Sequence, residues 1–220
     1  MPFDFRLSHQ VGGWFRTSLQ FVLTLMLASF AMSAYSASKT VVVLGDSLSA
    51  EYGLERGRGW VSLLQKKLQS EHIAADIINA SASGETTSGG RARLQGILEK
   101  HRPDVVVIAL GANDALRGLP LAATRENLQA MIASAQKTKA RVLLVGMQIP
   151  PNYGPDYTSQ FAKLFPDAAK SKQVALVPFM LAGVAERPEL FQADRIHPTA
   201  EAHPIILNNI WPYLKRLLAI

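Results

Sequence analysis

The segment "VVVLGDSLSAEYG", residues 41–53, sets a β-branched apolar run directly against a small polar turn at Gly45-Asp46-Ser47. Unbroken apolar runs, as opposed to alternating ones, belong to strands buried on both faces, the condition of a parallel sheet covered by helices. Similar runs recur at "IAADIIN" (73–79), "DVVVIAL" (104–110), "RVLLVGM" (141–147) and "VALVPF" (174–179). Between them lie stretches with helical spacing, at 59–71, 87–101, 120–139 and 157–172. In the third of these, Leu121, Leu128, Met131, Ile132 and Ala135 share one face. The chain closes with "PTAEAHPIILNNIWPYLKRLL" (198–218), in which Pro212 is expected to kink or break the helix at a cost of about 3 kcal/mol. This alternation predicts an α/β fold, a three-layer α/β/α sandwich around a central parallel sheet of about five strands with right-handed crossovers. No internal repeat, linker or low-complexity segment interrupts it.

The first residues read differently. Arg6 and Arg16 precede the apolar run "FVLTLMLASFAM" (21–32), and Ala34-Tyr35-Ser36 supplies small residues where a signal peptidase reads them. That run is shorter than the roughly 20 residues that span a bilayer. Residues 1–36 are therefore expected to be a cleaved signal peptide and 37–220 a single domain, exported to the periplasm or secreted, with no stable membrane span. The sequence has no Cys, so neither a lipid-modified Cys nor a disulfide is available. The formal charge is +6, and +5 once Asp4, Arg6 and Arg16 are removed with the leader. Lys and Arg are scattered rather than gathered with aromatics, which argues against a nucleic-acid partner. A monomer is expected.

In an open parallel sheet, ligands bind beyond the carboxyl ends of the strands. The loops that start there, at Gly45, Asn79, Gly111 and Ile149, include three with polar clusters. In "GDSLSAEYG", Ser47 is either a nucleophile or part of a plain capping turn. The context is not a Gly-x-Ser-x-Gly elbow, nor a phosphate-binding loop. In "NASASGETTSGG", Ser83-Gly84 offers a backbone N–H that no side chain blocks, or a mere turn. In "GANDALRG", the Asn113 side chain can donate to a developing oxyanion while Asp114 braces the loop through its backbone amides, the bland reading being an Asx turn. A fourth cluster, "QADRIHPTAEAH", places Asp194 three residues before His197, so one turn can bring the carboxylate to one ring nitrogen and leave the other free. An alternative metal site from Asp194, His197, Glu201 and His203 matches no common zinc or calcium spacing, and no metal or cofactor is expected. His72 and His101 sit at helix ends, where the dipole favours a cation. Nucleophile, base, orienter and oxyanion donors are the four parts that acyl transfer needs in one crevice.

These blocks, Gly45-Asp46-Ser47-Leu48, Ser83-Gly84, Gly111-x-Asn113-Asp114 and Asp194-x-x-His197-Pro198, resemble in order and spacing those of the SGNH or GDSL hydrolases, a flavodoxin-like fold family. "GDSLSAEYG", "NASASGETTSGG", "GANDALRG" and "PPNYG" further resemble its periplasmic multifunctional thioesterase, lysophospholipase and arylesterase group. The resemblance implies Ser47 as nucleophile, His197 as base and Asp194 as its orienter. It implies an oxyanion hole from the N–H groups of Ser47 and Gly84 and the Asn113 amide. The implied substrates are small-molecule or lipid acyl esters and thioesters. Leu116, Pro150 and Tyr153, in loops flanking the crevice, are candidate walls of an acyl groove or else ordinary packing residues. A carbohydrate acetylesterase and a non-catalytic binding module are the competing expectations for this scaffold.

Overall fold

A computed structural model describes Met1 and residues 38–218. Its five strands are β1 (Lys39–Gly45), β2 (Ala75–Asn79), β3 (Val105–Ala109), β4 (Arg141–Val145) and β5 (Ala175–Val177), all parallel in the order β2-β1-β3-β4-β5. Burial explains that order. Every residue of β3, and all but the first or first two of β4 and β1, are buried, so these apolar runs occupy the middle of the sheet. At the edges lie β2, which exposes Asp76, and β5, whose ladder ends after three residues.

Among the described residues six α-helices connect and cover the sheet: α1 (Trp60–Ser70), α2 (Thr87–His101), α3 (Ala112–Leu116), α4 (Leu121–Lys137), α5 (Pro155–Lys172) and α6 (His203–Leu218). The chain leaves β1 in one direction for β2 and thereafter moves the other way across the sheet, so right-handed crossovers put α1 on one face and α2, α4 and α5 on the other. Packing follows: α1 lies against α6, while α4 lies between α2 and α5. The predicted face of α4 is seated in the core through Leu128, Met131, Ile132 and Ala135, with Leu121 half-buried. Phe161 and Phe165 of α5 meet edge to face at 5.3 Å.

Pro212 does not break the last helix, which runs unbroken from His203 to Leu218. Ile206, Leu207, Ile210, Trp211, Leu214 and Leu218 anchor it on the buried side. Pro212 and Asn208, whose carbonyl loses its partner, both lie on the exposed face where water can replace the lost bond. The described residues from Ser38 to Leu218 belong to one compact unit, and the expected leader at 1–36 lies outside the described residues apart from Met1. Among the described residues no helix is long and apolar enough to cross a membrane.

Candidate active site

Strand order reverses at β1, so the crevice opens beyond the ends of β1 and β3. Gly45 ends β1 because nothing larger fits: a Cβ there would stand 2.6 Å from Ser49 Oγ and 3.0 Å from Ser81 Oγ. Asp46 then folds the chain back. Its Oδ1 accepts the Leu48 N–H at 3.0 Å and its carbonyl accepts those of Ser49 and Ala50. The capping-turn reading of this stretch thus holds for Asp46, and the turn leaves Ser47 half-buried just beyond the carboxyl end of β1.

A narrow loop faces it from the far end of the chain. Phe191 pairs with Pro198, the Gln192 N–H donates to the His197 carbonyl at 2.8 Å, and Asp194 sits near the tip. Asp194 Oδ1 accepts the N–H groups of Ile196 (2.9 Å) and His197 (3.0 Å), and Oδ2 lies 2.6 Å from His197 Nδ1. The backbone N–H of His197, then its ring, then the Ile196 N–H hold the Asp194 carboxyl down at about 2, so it is ionised at neutral pH. An ionised carboxylate can only accept, which assigns the proton to Nδ1 and leaves Nε2 with a free lone pair. His197 Nε2 is 2.9 Å from Ser47 Oγ, across 150 positions of sequence.

On the other flank stand the candidate oxyanion donors. Gly84 has φ +76°, a left-handed conformation that suits Gly. Its carbonyl accepts from Arg117 Nη2 at 2.8 Å, which ties the loop after β2 to that after β3. Asn113 Nδ2 donates to the Glu85 carbonyl at 3.0 Å and lies 3.5 Å from Asp46 Oδ2. Asp114 does not brace its own loop's amides as the sequence suggested. Its buried carboxylate accepts the Thr87 N–H at 2.8 Å and the Thr87 hydroxyl, pinning the start of α2. A helix N-terminus presents unpaired N–H groups and a positive dipole end, so a carboxylate is better satisfied there. Leu116 is half-buried, whereas Pro150 and Tyr153 are exposed; Tyr157 Oη, on the segment after Tyr153, donates to the Ala115 carbonyl at 3.3 Å.

This arrangement of blocks is a family's. Residues 43–205 match the profile of the GDSL-like lipase/acylhydrolase family. The chain belongs to that family. It is 46% identical to Esterase TesA of Pseudomonas aeruginosa over 87% of this chain and 96% of the relative. It is 37% identical to the Escherichia coli K12 protein named thioesterase 1/protease 1/lysophospholipase L1, over 88% of this chain and 90% of that one. The crystal structure of the psychrotrophic esterase EstA from Pseudoalteromonas sp., inhibited by monoethylphosphonate, superposes with a TM-score of 0.79 at 39% identity, over 83% of this chain and 100% of that chain. Membership makes the chain a hydrolase of acyl bonds.

The four residues of the metal alternative are engaged elsewhere. His203 Nδ1 accepts the Trp60 N–H at 3.0 Å inside the core, and burial lowers its pKa to about 4, which keeps the ring neutral. Glu201 faces Arg58 at 4.0 Å on the surface, Asp194 is bonded to His197, and His197 faces Ser47. Among the described residues no three His, Cys, Asp or Glu gather as metal ligands.

Several supports of this site carry no motif. Arg117, Gln192 and the Glu51 carboxylate, which accepts from the Gly57 and Gly59 N–H groups and the Ser62 hydroxyl, act through contacts with loop backbone. The charge and length of such side chains give no sign in the sequence of which carbonyl or amide they will meet.

Asp46 is only 3% exposed, and burial raises its pKa to about 6 against the Leu48 N–H, which favours the charged form. A folded-state value above the ordinary 3.8 means that native protein binds this proton more tightly than unfolded chain does. The burial penalty is therefore fully present above about pH 6 and is relieved as pH falls toward 3.8. That shift corresponds to about 3 kcal/mol. Asp46→Asn keeps an acceptor for Leu48 and cannot ionise. Its Tm relative to wild type is expected to be higher at pH 8 than at pH 4.5, as read by thermal melts; equal differences at both values would show that Asp46 titrates normally.

Proposed function

We propose that this chain is an exported serine esterase that hydrolyses acyl esters and thioesters through a covalent acyl-enzyme. The observation that carries it is the continuous path from Asp194 through His197 to Ser47, at 2.6 and 2.9 Å. In this reading His197 Nε2 takes the hydroxyl proton as Ser47 Oγ bonds to the acyl carbon, and Asp194 stabilises the imidazolium. The carbonyl electron pair moves onto oxygen, where the N–H groups of Ser47 and Gly84 and the Asn113 amide receive it. Collapse expels the alcohol or thiol, which recovers its proton from His197. Water then repeats the sequence on the acyl-enzyme and releases the acid.

Asn113 suits its part because one hydrogen of its amide is fixed on the Glu85 carbonyl at 3.0 Å. The other faces Asp46 Oδ2 at 3.5 Å, too far to compete with an oxyanion at hydrogen-bonding distance. Asn113→Ala is expected to lose about 10² to 10³ in kcat with its fold intact, since one oxyanion donor typically contributes that factor. Near-full turnover on a short ester would remove Asn113 from the oxyanion hole.

Thioester and lysophospholipid cleavage are supported by the name of the Escherichia coli relative, and export by Arg6, Arg16 and the apolar run at 21–32. Leu116, Pro150 and Tyr153 are assigned to the acyl groove because they belong to the connections that follow β3 and β4 at the carboxyl end of the sheet, where Asn113 also lies. A series of p-nitrophenyl esters and acyl thioesters of increasing chain length tests the substrate class. Rates that vary with chain length, and vary less in Tyr153→Ala, fit a groove; indifference in both proteins contradicts it.

A further inference from the structure

Tyr52 lies five residues after Ser47 and has no part in the chemistry above. Its ring centroid is 4.3 Å from that of the His197 imidazole, with the planes 36° apart. Resting on the preceding reading of Ser47 and His197, we propose that Tyr52 is a positioning residue that sets the plane of the His197 ring.

Geometry gives the reason. Asp194 at Nδ1 and Ser47 at Nε2 meet the imidazole at its edge, and neither hydrogen bond stiffly opposes small rotations about Cβ–Cγ that swing the ring out of its plane. Contact on a face opposes them. The aromatic face also carries negative quadrupole density, so it favours the imidazolium that forms as Ser47 attacks.

Tyr52 is 50% exposed, so the core gains little from its ring, yet its backbone is secured on several sides. The Tyr52 N–H donates to the Ser47 carbonyl at 3.4 Å. Its carbonyl accepts from Gln192 Nε2 at 3.0 Å, and the same nitrogen donates to the Pro198 carbonyl at 3.0 Å. The Gln192 N–H in turn holds the His197 carbonyl at 2.8 Å. One Gln thus ties the segment bearing Tyr52 to the residues on either side of the His197 peptide. Glu51, left-handed at φ 59°, is fixed by the Gly57 and Gly59 N–H groups at 3.0 and 2.9 Å and by the Ser62 hydroxyl at 2.7 Å. So much restraint on a half-exposed aromatic side chain fits a ring whose place matters to its neighbour.

The test is steady-state kinetics of Tyr52→Ala and Tyr52→Phe on p-nitrophenyl acetate and on ethyl acetate, with Ser47→Ala as reference. Tyr52→Ala is expected to lose about 3- to 10-fold in kcat, the range that aromatic contacts of this kind convert to, with KM changed by less than about 2-fold. The loss is the same on both esters, and Tyr52→Phe restores kcat to within about 2-fold, because the ring and not the hydroxyl makes the contact. Wild-type kcat in Tyr52→Ala overturns the inference, as does a loss confined to the aryl ester or to KM, which would make Tyr52 a wall for the leaving group. Near-wild-type kcat in Ser47→Ala would instead overturn the acyl-enzyme reading itself.

Discussion

Ser47→Ala is expected to lower kcat on a short p-nitrophenyl ester by about 10⁶, leaving a residue of turnover about 10³ to 10⁴ above water that binding and the oxyanion donors still supply. In the proposed mechanism, removing the hydroxyl takes away the atom that bonds to the acyl carbon, and no neighbour is placed to substitute for it. Ser49 Oγ, two residues on, accepts from Trp60 Nε1 at 3.3 Å and is buried. The fold is expected to survive. Ser47 Oγ is paired with His197 Nε2 alone among the hydrogen bonds described for its side chain, and Ser47 is only half-buried, so the Tm is expected to stay within about 2 °C of wild type. A lost Tm together with lost turnover would make the serine structural. Retained turnover with an intact Tm would leave the chain without its nucleophile.

Asp194→Asn is expected to cost about 10⁴ in kcat, the scale at which a misassigned imidazole tautomer acts. The contacts of this residue show why the smallest of substitutions has so large an effect. Oδ1 is committed to the backbone N–H groups of Ile196 and His197 at 2.9 and 3.0 Å. An Asn carbonyl oxygen takes over that role, which directs its NH₂ at His197 Nδ1. The ring then presents Nδ1 as acceptor and carries its proton on Nε2, facing Ser47 as a donor and unable to receive the hydroxyl proton. The same substitution removes the charge that stabilises the imidazolium. Because the carboxyl is held at about 2, wild type keeps this ionised partner throughout the pH range of an ordinary assay, and loses it only as pH falls through about 2. Asp194→Asn is therefore expected to stay impaired across that range, with KM little changed, as rate measurements from pH 5 to pH 9 would show.

The fold was legible because the apolar runs at β1, β3 and β4 admit no reading but strands covered on both sides. The edge strands were the harder part. "VALVPF" reads as six residues of strand, but the ladder stops at Val177. A fifth strand is paired on one side only, so the chain is free to leave it, and at Gly146 it does so at close quarters: the Gly146 N–H meets the Val177 carbonyl at 2.7 Å. Pro212 misled for a related reason. Its local cost is real, but six buried apolar residues of α6 outweigh it, and the propensity of one position says nothing of them. At the site, the proximity of Ser47, Asn113, Asp194 and His197 could be read from polar clusters at the same end of a parallel sheet. The partners of Asp114 could not. Its carboxylate reaches across to Thr87, a contact between two helices that only packing decides. Tyr52 and Gln192 were silent for the same reason, since an aromatic ring and a surface amide mean something here only because two segments 140 positions apart meet.

The measurement on which the chemistry turns is covalent labelling of the purified protein with a fluorophosphonate, read by mass spectrometry of its peptides. A hydroxyl 2.9 Å from a base oriented by an ionised carboxylate is expected to give one adduct, on Ser47, absent from Ser47→Ala and slowed in Asp194→Asn. An adduct on any other residue, or none on an enzyme that still hydrolyses esters, would contradict Ser47 as the nucleophile.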